Sequence, residues 1–256
     1  MFERIKKAIR SNAHAYRLVS LFYNYWRPPL HDIASILRAF DALKNHKVVF
    51  IQVGSNDGVT GDPIHPFITG RGSFWTGMLI EPVPYLFEKL KVTYRNYETR
   101  LKFVNMAVGP HVEKKILYRI KEEPGNGPTP WYEQIASFNY QTILKQKPFI
   151  PDFDQRLIEE AVDAAPLRQI AADNTVSKPD LVHIDTEGFD FEVIKLIDWT
   201  EQSPEMLLFE HKHLSRQDYH ACCRLLRSQN YLLFSQEGDT VAIRQSTYFA
   251  IRQLIS

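Results

Sequence analysis

The sequence predicts an α/β domain with a mostly parallel sheet of about seven strands, a C-terminal antiparallel hairpin, and helices on both faces. Apolar runs of strand length alternate with segments of helical periodicity, and two closely spaced runs follow near the end of the chain. Strands that are apolar throughout are typical of a sheet covered on both faces, and helices supply the crossovers that parallel strands require. At 256 residues and 44% hydrophobic, the chain is large and apolar enough to bury such a sheet.

Residues 1–44 are predicted to form a helical extension that precedes the main domain, which takes up residues 45–256. The extension begins with a basic amphipathic segment whose apolar residues fall near one helical face, namely Phe2, Ile5, Ile9, Tyr16 and Tyr23. Pro28 and Pro29 end this helix, and Asp32 can cap a second helix that starts at Ile33. We expect the first helix to cap the domain, with peripheral contact to an anionic membrane as the alternative.

The strands are predicted from seven apolar runs, at 48–53, 75–80, 102–108, 180–184, 205–210, 231–235 and 240–244. Helices are predicted between them at 85–94, 166–172, 191–197 and 216–229. The turn at 236–239 separates the last two runs so closely that we predict an antiparallel hairpin there. Residues 121–154 break the alternation with prolines, glycines and aromatics, which predicts an irregular, lid-like insertion.

Composition restricts the partners and the compartment. A net charge of +1 gives no general attraction to polyphosphate, so we expect no nucleic-acid partner. Cys222 and Cys223 are adjacent in a helical segment, which suits neither a disulfide nor a metal site and favours a reducing cytoplasm. We therefore predict a cytoplasmic protein, with association to the inner face of the membrane through the first helix as the alternative. The oligomeric state stays open.

Glycine, acidic and amide residues stand where the first three predicted strands end. Glycines after the first strand allow a sharp turn and a close approach to a ligand, and Glu81 after the second suits the two hydroxyls of a ribose. Asn105 ends the third strand, where its amide can read a purine edge. The residues predicted to bind an adenosyl cofactor are Gln52, Gly54, Ser55, Asn56, Asp57, Gly58, Glu81, Pro82, Asn105 and Ala107.

Ionisable residues follow the fourth and fifth predicted strands. Asp185 and Glu187 come after the fourth strand, and Glu210 and His211 come at the end of the fifth. Because neighbouring parallel strands end at the same edge of a sheet, these side chains are predicted to converge beside the cofactor. The predicted catalytic residues are Asp185, Glu187 and His211.

Several segments together resemble the FkbM family of S-adenosylmethionine-dependent methyltransferases. They are IQVGSNDG, IEPVPYLFEKL, NMAVG, IASF and, most specifically, LVHIDTEGFDFEVI, within a resemblance that covers residues 48–244. The resemblance implies a Rossmann-like class I methyltransferase fold with a reversed final hairpin, and S-adenosylmethionine as the cofactor. It also implies methylation of a hydroxyl on a small-molecule or glycan acceptor, such as a sugar, a glycolipid or polysaccharide, or a natural product. Gln52 departs from the acidic residue usual in the family, and Asp57 is a candidate to replace its charge.

Two routes for activating an acceptor hydroxyl fit the sequence. In one, His211, His183 or His213 acts as a general base. In the other, Asp185 and Glu210 bind Mg²⁺, which lowers the pKa of the hydroxyl as a Lewis acid. Oxygen ligands suit magnesium, whereas His211 as a third ligand would favour a transition metal.

Other functions remain open at this point. An NAD-dependent Rossmann oxidoreductase or epimerase shares the acidic second strand end, but the glycine fingerprint G-x-G-x-x-G is not found here. A non-catalytic module could keep the adenosyl pocket, although the intact Asp185, Glu187 and Glu210 argue against it. A metal-dependent glycosyltransferase is less consistent with an acidic motif that follows a buried strand.

Overall fold

The structure, a computed structural model, describes residues 32–123, 130–176 and 178–254. The predicted first helix, and with it the predicted membrane contact, lies outside the described residues. The predicted second helix is present and begins at Ile33, after a capping box in which Asp32 and Ser35 bond to each other's backbone N–H groups. Across the described ranges, no helix has both the length and the apolar character that crossing a bilayer requires.

The chain contains eleven strands in the described residues. They are β1 (Val49–Val53), β2 (Thr76–Ile80), β3 (Leu101–Val104), β4 (Ala107–Val108), β5 (Glu113–Ile120), β6 (Ala136–Ser137), β7 (Leu157–Ala165), β8 (Leu181–Ile184), β9 (Met206–Glu210), β10 (Tyr231–Gln236) and β11 (Asp239–Arg244). The α-helices are α1 (Ile33–Leu43), α2 (His65–Thr69), α3 (Pro84–Thr93), α4 (Tyr140–Leu144), α5 (Phe153–Arg156), α6 (Leu167–Asp173), α7 (Asp190–Lys195), α8 (Arg216–Ser228) and α9 (Gln245–Leu254).

Seven of these strands form the main sheet in the order β3-β2-β1-β8-β9-β11-β10. In this sheet, the neighbouring strands β3, β2, β1, β8 and β9 are parallel, whereas β11 pairs antiparallel with both β9 and β10. The predicted fold class, with its mostly parallel sheet and reversed final hairpin, is therefore confirmed. From β1 the chain first builds outward to β2 and β3, then returns to β8 on the other side, so the topology switches direction between β1 and β8.

Two apolar layers cover the two faces of the main sheet. Ile51 and Val53 point into one layer, which packs against α6, α7 and α8, while Phe50 points into the other, which packs against α1, α2, α3 and α9. This division follows from the pleat, because successive side chains of a strand face opposite sides of the sheet. Cys222 and Cys223 are buried free thiols on α8, as the sequence predicted.

The third predicted strand, 102–108, is wrong as a single strand. It ends in the main sheet at Val104, and Ala107 begins β4 of a separate four-stranded sheet in the order β4-β7-β5-β6. Asn105 marks the break, because its side-chain Nδ2 donates to the backbone carbonyls of Glu81 and Pro82, 2.8 and 3.1 Å away. An amide that bonds the backbone of the neighbouring strand end favours a turn over a continued strand.

The two long strands of the second sheet were not predicted. β7 has the sequence LIEEAVDAA, which is rich in helix-forming residues, yet it pairs antiparallel with β5 along the whole length of that strand. Pairing with a partner strand overrides the local preference in this case. The final helix, α9, was likewise not predicted, and its Ile251 is fully buried against the sheet.

The insertion differs from the irregular excursion that its prolines and glycines predict. Its described part contains β6, α4, α5 and two short 3₁₀ helices, at Trp131–Glu133 and Lys147–Phe149. These elements enclose an apolar cluster of their own, made of Ile120, Ile135, Ile143, Ile150 and Phe153. Buried Arg156, just after the insertion, forms an ion pair with buried Glu133 at 2.5 Å, which ties the following segment to the middle of the insertion. Whether the insertion acts as a lid stays a prediction.

Gly77 in β2 generates a prediction about the stability of the main sheet. A Cβ atom at Gly77 would lie 2.1 Å from the carbonyl oxygen of Phe50 on β1. We expect Gly77→Ala to lower the free energy of unfolding by about 1–3 kcal/mol or more, as overpacked core positions do. Gly109→Ala is the matched control, because its new Cβ would meet Ala164 at an ordinary 3.5 Å. Urea denaturation of both variants measures the difference, and equal losses would contradict the packing argument.

Candidate active site

A cleft opens at the carboxyl ends of β1, β2 and β8, where the topology of the main sheet switches direction. It contains about 870 Å³ of empty space, including its solvent-open mouth. The turns after β1 and β8 form its floor, and residues of the insertion near β6 form one wall. This is the edge at which the sequence predicted an adenosyl cofactor.

The turn after β1 brings the backbone of β1 unusually close to that of β8. Gly54 has a positive φ of 78°, and a Cβ atom there would lie 1.7 Å from the carbonyl oxygen of Asp185. The N–H groups of Gly54 and Ser55 both donate to the carbonyl of Ile80, at 3.0 Å, and so bind the turn to β2 as well. Only glycine fits this position, and its backbone stays open to the cleft.

Glu81, at the end of β2, is a buried carboxylate that lines the cleft. Its Oε2 accepts the N–H of Asn56 and its Oε1 accepts the N–H of Val83, both at 2.8 Å. Burial nevertheless raises the pKa of Glu81 to about 7. Each carboxylate oxygen can accept more than one hydrogen bond, so both remain able to accept from the hydroxyls of a ribose.

Most of the predicted cofactor-binding residues line the cleft, and the others lie in the structure around it. Those that line the cleft are Gln52, Gly54, Ser55, Asn56, Glu81, Pro82 and Ala107. Asp57, Gly58 and Asn105 do not. Asp57 is half-buried and caps the turn by accepting from the N–H groups of Val59 and Thr60.

Gly58 and Asn105 have structural contacts of their own. A Cβ at Gly58 would lie 2.6 Å from the ring of Tyr94, so this glycine serves the packing of α3 against the turn. The Asn105 amide holds the turn after β2 in place and thereby supports Glu81 rather than facing the cleft itself. No sequence signal separates these supporting roles from direct contact, because both place a polar residue at a strand end.

Gln52 and His183 face each other from β1 and β8 at the base of the cleft. Gln52 Nε2 lies 3.0 Å from His183 Nδ1, and burial lowers the pKa of His183, which favours the neutral imidazole. Gln52 Oε1 is buried and has no hydrogen-bond partner among the described residues. A buried acceptor of this kind is suited to a donor on a ligand, such as the ammonium of the cofactor's methionine part.

Carboxylates gather where β8 and β9 end. Asp185 and Glu187 line the cleft, and Glu210 lies at the end of the neighbouring parallel strand. Burial, and then the negative charges of Glu210 and Glu187, raise the pKa of Asp185 well above its ordinary value. His213 Nε2 lies 3.0 Å from Glu187 Oε2 and 3.7 Å from Glu210 Oε2, and the hydrogen bond to Glu187 raises the pKa of His213.

His211 lies apart from the cleft, and one of the predicted Mg²⁺ ligands belongs to a larger group of possible ligands. His211 is outside the cleft lining, with its ring stacked on Tyr219 at 4.6 Å and its Nδ1 3.0 Å from the Thr240 hydroxyl. Glu187, Glu210 and His213 form a group whose ligand atoms lie within 4.8 Å of one another. The predicted Mg²⁺ pair, Asp185 and Glu210, shares Glu210 with this group, and metal binding by that pair stays a prediction. The sequence pattern predicted which strands end next to each other. It did not predict where the side chains of the turns after those strands lie.

The cleft also contains residues that the sequence analysis did not name as site residues. Phe138, from the insertion, packs edge to face on Phe189 with ring centroids 5.6 Å apart, and both line the cleft beside Asp185. Phe138 belongs to the IASF segment, so the family resemblance contained a signal for it. Met106 also lines the cleft and belongs to the NMAVG segment in the same way, whereas Asp62 lines it without any such signal.

The sheet order, the glycine turn after β1 and the acidic end of β2 are those of a class I methyltransferase with a Rossmann-like fold. The sequence profile of the methyltransferase FkbM domain matches residues 52–233, which is more than half of the chain. The chain belongs to the FkbM family of methyltransferases, which implies S-adenosylmethionine as the methyl donor. The family places it among methyltransferases rather than NAD-dependent oxidoreductases.

Several solved structures are similar to this chain at low sequence identity. Methyltransferase FkbM from Methylobacillus flagellatus KT is 15% identical, with a TM-score of 0.49 and 77% of this chain covered, and the match spans 44% of that protein. The fibrillarin pre-rRNA processing protein of Methanococcus jannaschii is 11% identical, with a TM-score of 0.43 over 85% of this chain and 76% of that one. Precorrin-6y C5,15-methyltransferase from Geobacter metallireducens GS-15 is 10% identical, with a TM-score of 0.38 over 82% and 87%. A search of curated proteins found no match.

The raised pKa of Glu81 generates a prediction about cofactor binding. Below about pH 7 the buried carboxyl holds a proton, and an ionised carboxylate is the better acceptor for two ribose hydroxyls. We expect the affinity for S-adenosylhomocysteine to rise as the pH passes upward through about 7, measured by calorimetry. Glu81→Gln should weaken binding by about 1.5–3 kcal/mol and remove this pH dependence.

The raised pKa of Glu81 also determines whether the protein becomes more or less stable as the pH rises. The pKa of Glu81 is higher in the folded protein than in the unfolded chain, so the folded state keeps its proton over a range where the unfolded state loses it. The stability of the cofactor-free protein therefore falls as the pH rises from about 4.5 to about 7. Exposed Glu88→Gln is the control for both experiments. An unchanged pH profile in Glu81→Gln would contradict the assignment.

Proposed function

We propose that this chain transfers a methyl group from S-adenosylmethionine to a hydroxyl of a carbohydrate or another hydroxylated small molecule. The observation that carries the proposal is a single cleft that joins the two halves of the chemistry. In the order of the main sheet, β1 and β2, which carry Gly54 and Glu81, form one end of the cleft lining, and β8, which carries Asp185 and Glu187, forms the other. A donor held at the first end and an acceptor at the second would be oriented toward each other within one enclosed space.

The residues at the first end fit the cofactor. The glycine turn leaves room for an adenosyl group against the backbone, and Glu81 offers a carboxylate for the ribose hydroxyls. The unpartnered Gln52 Oε1 offers an acceptor for the ammonium, which removes the need for the acidic residue that the family usually has there. Bound S-adenosylmethionine supplies a methyl group on a positively charged sulfur, which is activated for transfer.

The residues at the second end fit a hydroxyl acceptor. A neutral alcohol is a poor nucleophile, so its proton must pass to a base as the new carbon–oxygen bond forms. Asp185 lies on the cleft floor, where its carboxylate oxygen can take that proton, and Glu187 lines the same floor. Phe138 and Phe189 form an apolar wall beside it, against which the ring of a sugar or natural product can pack.

The cofactor preference is tested by titrating the full chain with S-adenosylhomocysteine and NAD in parallel. We expect binding of S-adenosylhomocysteine, with a rise in melting temperature, and no binding of NAD. Transfer is then measured with a radiolabelled methyl donor against a panel of hydroxylated acceptors that includes monosaccharides, glycolipids and polysaccharides. Binding of the donor without transfer to any acceptor would favour a non-catalytic adenosyl-binding module, and binding of NAD alone would exclude the proposal.

Asp185→Asn tests the proton acceptor. It keeps the size of the side chain but removes the basic carboxylate, so we expect turnover to fall by about 10²- to 10⁴-fold, the range for lost acid–base catalysis. Affinity for S-adenosylhomocysteine should stay close to that of the wild type. Asp163→Asn is the matched control, because Asp163 is an exposed residue of β7 that forms an ion pair with Lys114 at the surface. Full turnover in Asp185→Asn would rule out this residue as the base.

A further inference from the structure

We propose that Glu187, Glu210 and His213 bind a divalent first-row transition-metal ion, such as Mn²⁺, at the edge of the cleft. The ligand set differs from the Asp185–Glu210 pair and from the magnesium that the sequence predicted. The catalytic role of this ion would be to hold the acceptor's oxygen beside the methyl donor, and that role rests on the proposed function. Binding of the ion itself does not.

The three side chains are already arranged as ligands. One ligand atom from each lies within 4.8 Å of the other two. His213 Nε2 is 3.0 Å from Glu187 Oε2 and 3.7 Å from Glu210 Oε2. Two ligands that each lie about 2.1 Å from a metal, at an angle of 90–110°, are about 3.0–3.4 Å apart. Small side-chain movements would therefore complete the site.

An unpartnered oxygen points to a missing ligand. Glu210 is only 7% exposed, and its Oε1 accepts a hydrogen bond from Lys212 Nζ at 2.6 Å. Its Oε2 has no hydrogen-bond partner among the described residues, although it lies on the side of His213. A buried carboxylate oxygen without a hydrogen-bond donor is costly, because it has lost water and has not gained a hydrogen bond in its place. A metal ion bound to Oε2 removes that cost.

The charges around the three side chains also favour a cation. Asp185 and Asp190, on the two sides of Glu187, bring two further carboxyls that interact electrostatically with that of Glu210. Lys212 and His213 are the basic groups that hydrogen-bond to carboxylates of this cluster. Acidic groups are thus in excess, and a divalent ion would offset their mutual repulsion.

The turn after β8 and the segment after β9 hold the ligands against each other. Glu187 has a positive φ of 51°, and the next residue, Gly188, has a φ of 98°. A Cβ at Gly188 would lie 3.3 Å from the carbonyl oxygen of His213, so the two segments are in backbone contact. The N–H groups of His211 and Lys212 both donate to the carbonyl of Gly238, which fixes the second segment on the final hairpin.

The chemistry of the ligands indicates the kind of metal. Carboxylates suit magnesium and manganese, whereas an imidazole suits the transition metals, so two carboxylates with one imidazole favour Mn²⁺ or Fe²⁺ over Mg²⁺. Three protein ligands leave positions open for water or for a substrate oxygen. An acceptor hydroxyl on the metal would have a lower pKa, and Asp185 would then accept its proton more readily.

The test uses the full chain after chelator treatment and removal of the chelator. Free Mn²⁺ is followed by its electron paramagnetic resonance signal, Co²⁺ by its visible absorption, and Mg²⁺ by calorimetry. We expect one Mn²⁺ and one Co²⁺ per chain, with weaker binding of Mg²⁺. Absence of stoichiometric binding of either probe would overturn the proposal, and tighter binding of Mg²⁺ than of Mn²⁺ would overturn the assignment to a transition metal.

Variants locate the ion. Glu187→Gln and His213→Ala should each weaken Mn²⁺ binding by at least about 10- to 100-fold. Losing a residue that only hydrogen-bonds to a metal ligand already costs that much, and these residues are the proposed ligands themselves. The matched controls are Glu192→Gln and His220→Ala, since Glu192 is an exposed partner of Lys195 and His220 is exposed on α8. Wild-type affinity in both ligand variants, or equal losses in the controls, would show adventitious binding and refute the site.

The same samples separate this proposal from the proposed function. Titration with S-adenosylhomocysteine should give wild-type affinity in Glu187→Gln and His213→Ala, which also establishes that they are folded. Stoichiometric Mn²⁺ binding without any methyl transfer would leave the metal site standing and exclude the proposed function. Methyl transfer that persists at full rate in EDTA, together with no Mn²⁺ binding, would exclude the metal site and leave the proposed function standing.

Discussion

The close approach of β1 and β8 is the constraint on which the site depends. Gly54 has no side chain, so its α-carbon can lie directly beside the carbonyl of Asp185, and the Asp185 N–H donates to the carbonyl of Val53 at 2.9 Å. Any side chain at Gly54 would separate the two strand ends. Because they stay together, the turn proposed to hold the donor and the carboxylate proposed to receive the proton share one cleft floor.

The buried carboxylates of Glu81, at the end of β2, and Glu210, at the end of β9, are stabilised in different ways. Glu81 accepts two backbone N–H groups, which fix its orientation although burial still raises its pKa to about 7. Glu210 accepts a hydrogen bond from a lysine on one oxygen, whereas the other has no hydrogen-bond partner among the described residues and only the more distant His213 beside it. Groups whose pKa values are shifted by burial and by neighbouring charge are typical of functional sites. The contrast indicates that Glu81 is complete as an acceptor for a ligand, whereas Glu210 still has capacity for a cation.

Elements outside the parallel core shape the cleft from two sides. The second sheet and the insertion bring Phe138 against Phe189, so one wall comes from a part of the chain that contributes nothing to the main sheet. The reversed hairpin acts from the other side, since the carbonyl of Gly238 holds the segment that contains His213. Variation in these two elements can change the acceptor without disturbing the glycine turn or Glu81.

The sequence by itself determined the strands of the main sheet, the final hairpin and the strand ends at which the site lies. These features follow from local patterns, because apolar periodicity and the residues at strand ends can each be recognised within a short stretch of sequence. Tertiary structure alone decided that β7 is extended, that Asn105 supports Glu81 from outside the cleft, and that His213 rather than His211 meets Glu187. Each of these depends on a partner distant in sequence: β5 for β7, the end of β2 for Asn105, and the turn after β8 for His213. Side-chain direction in a turn is set by such contacts, which no local pattern contains.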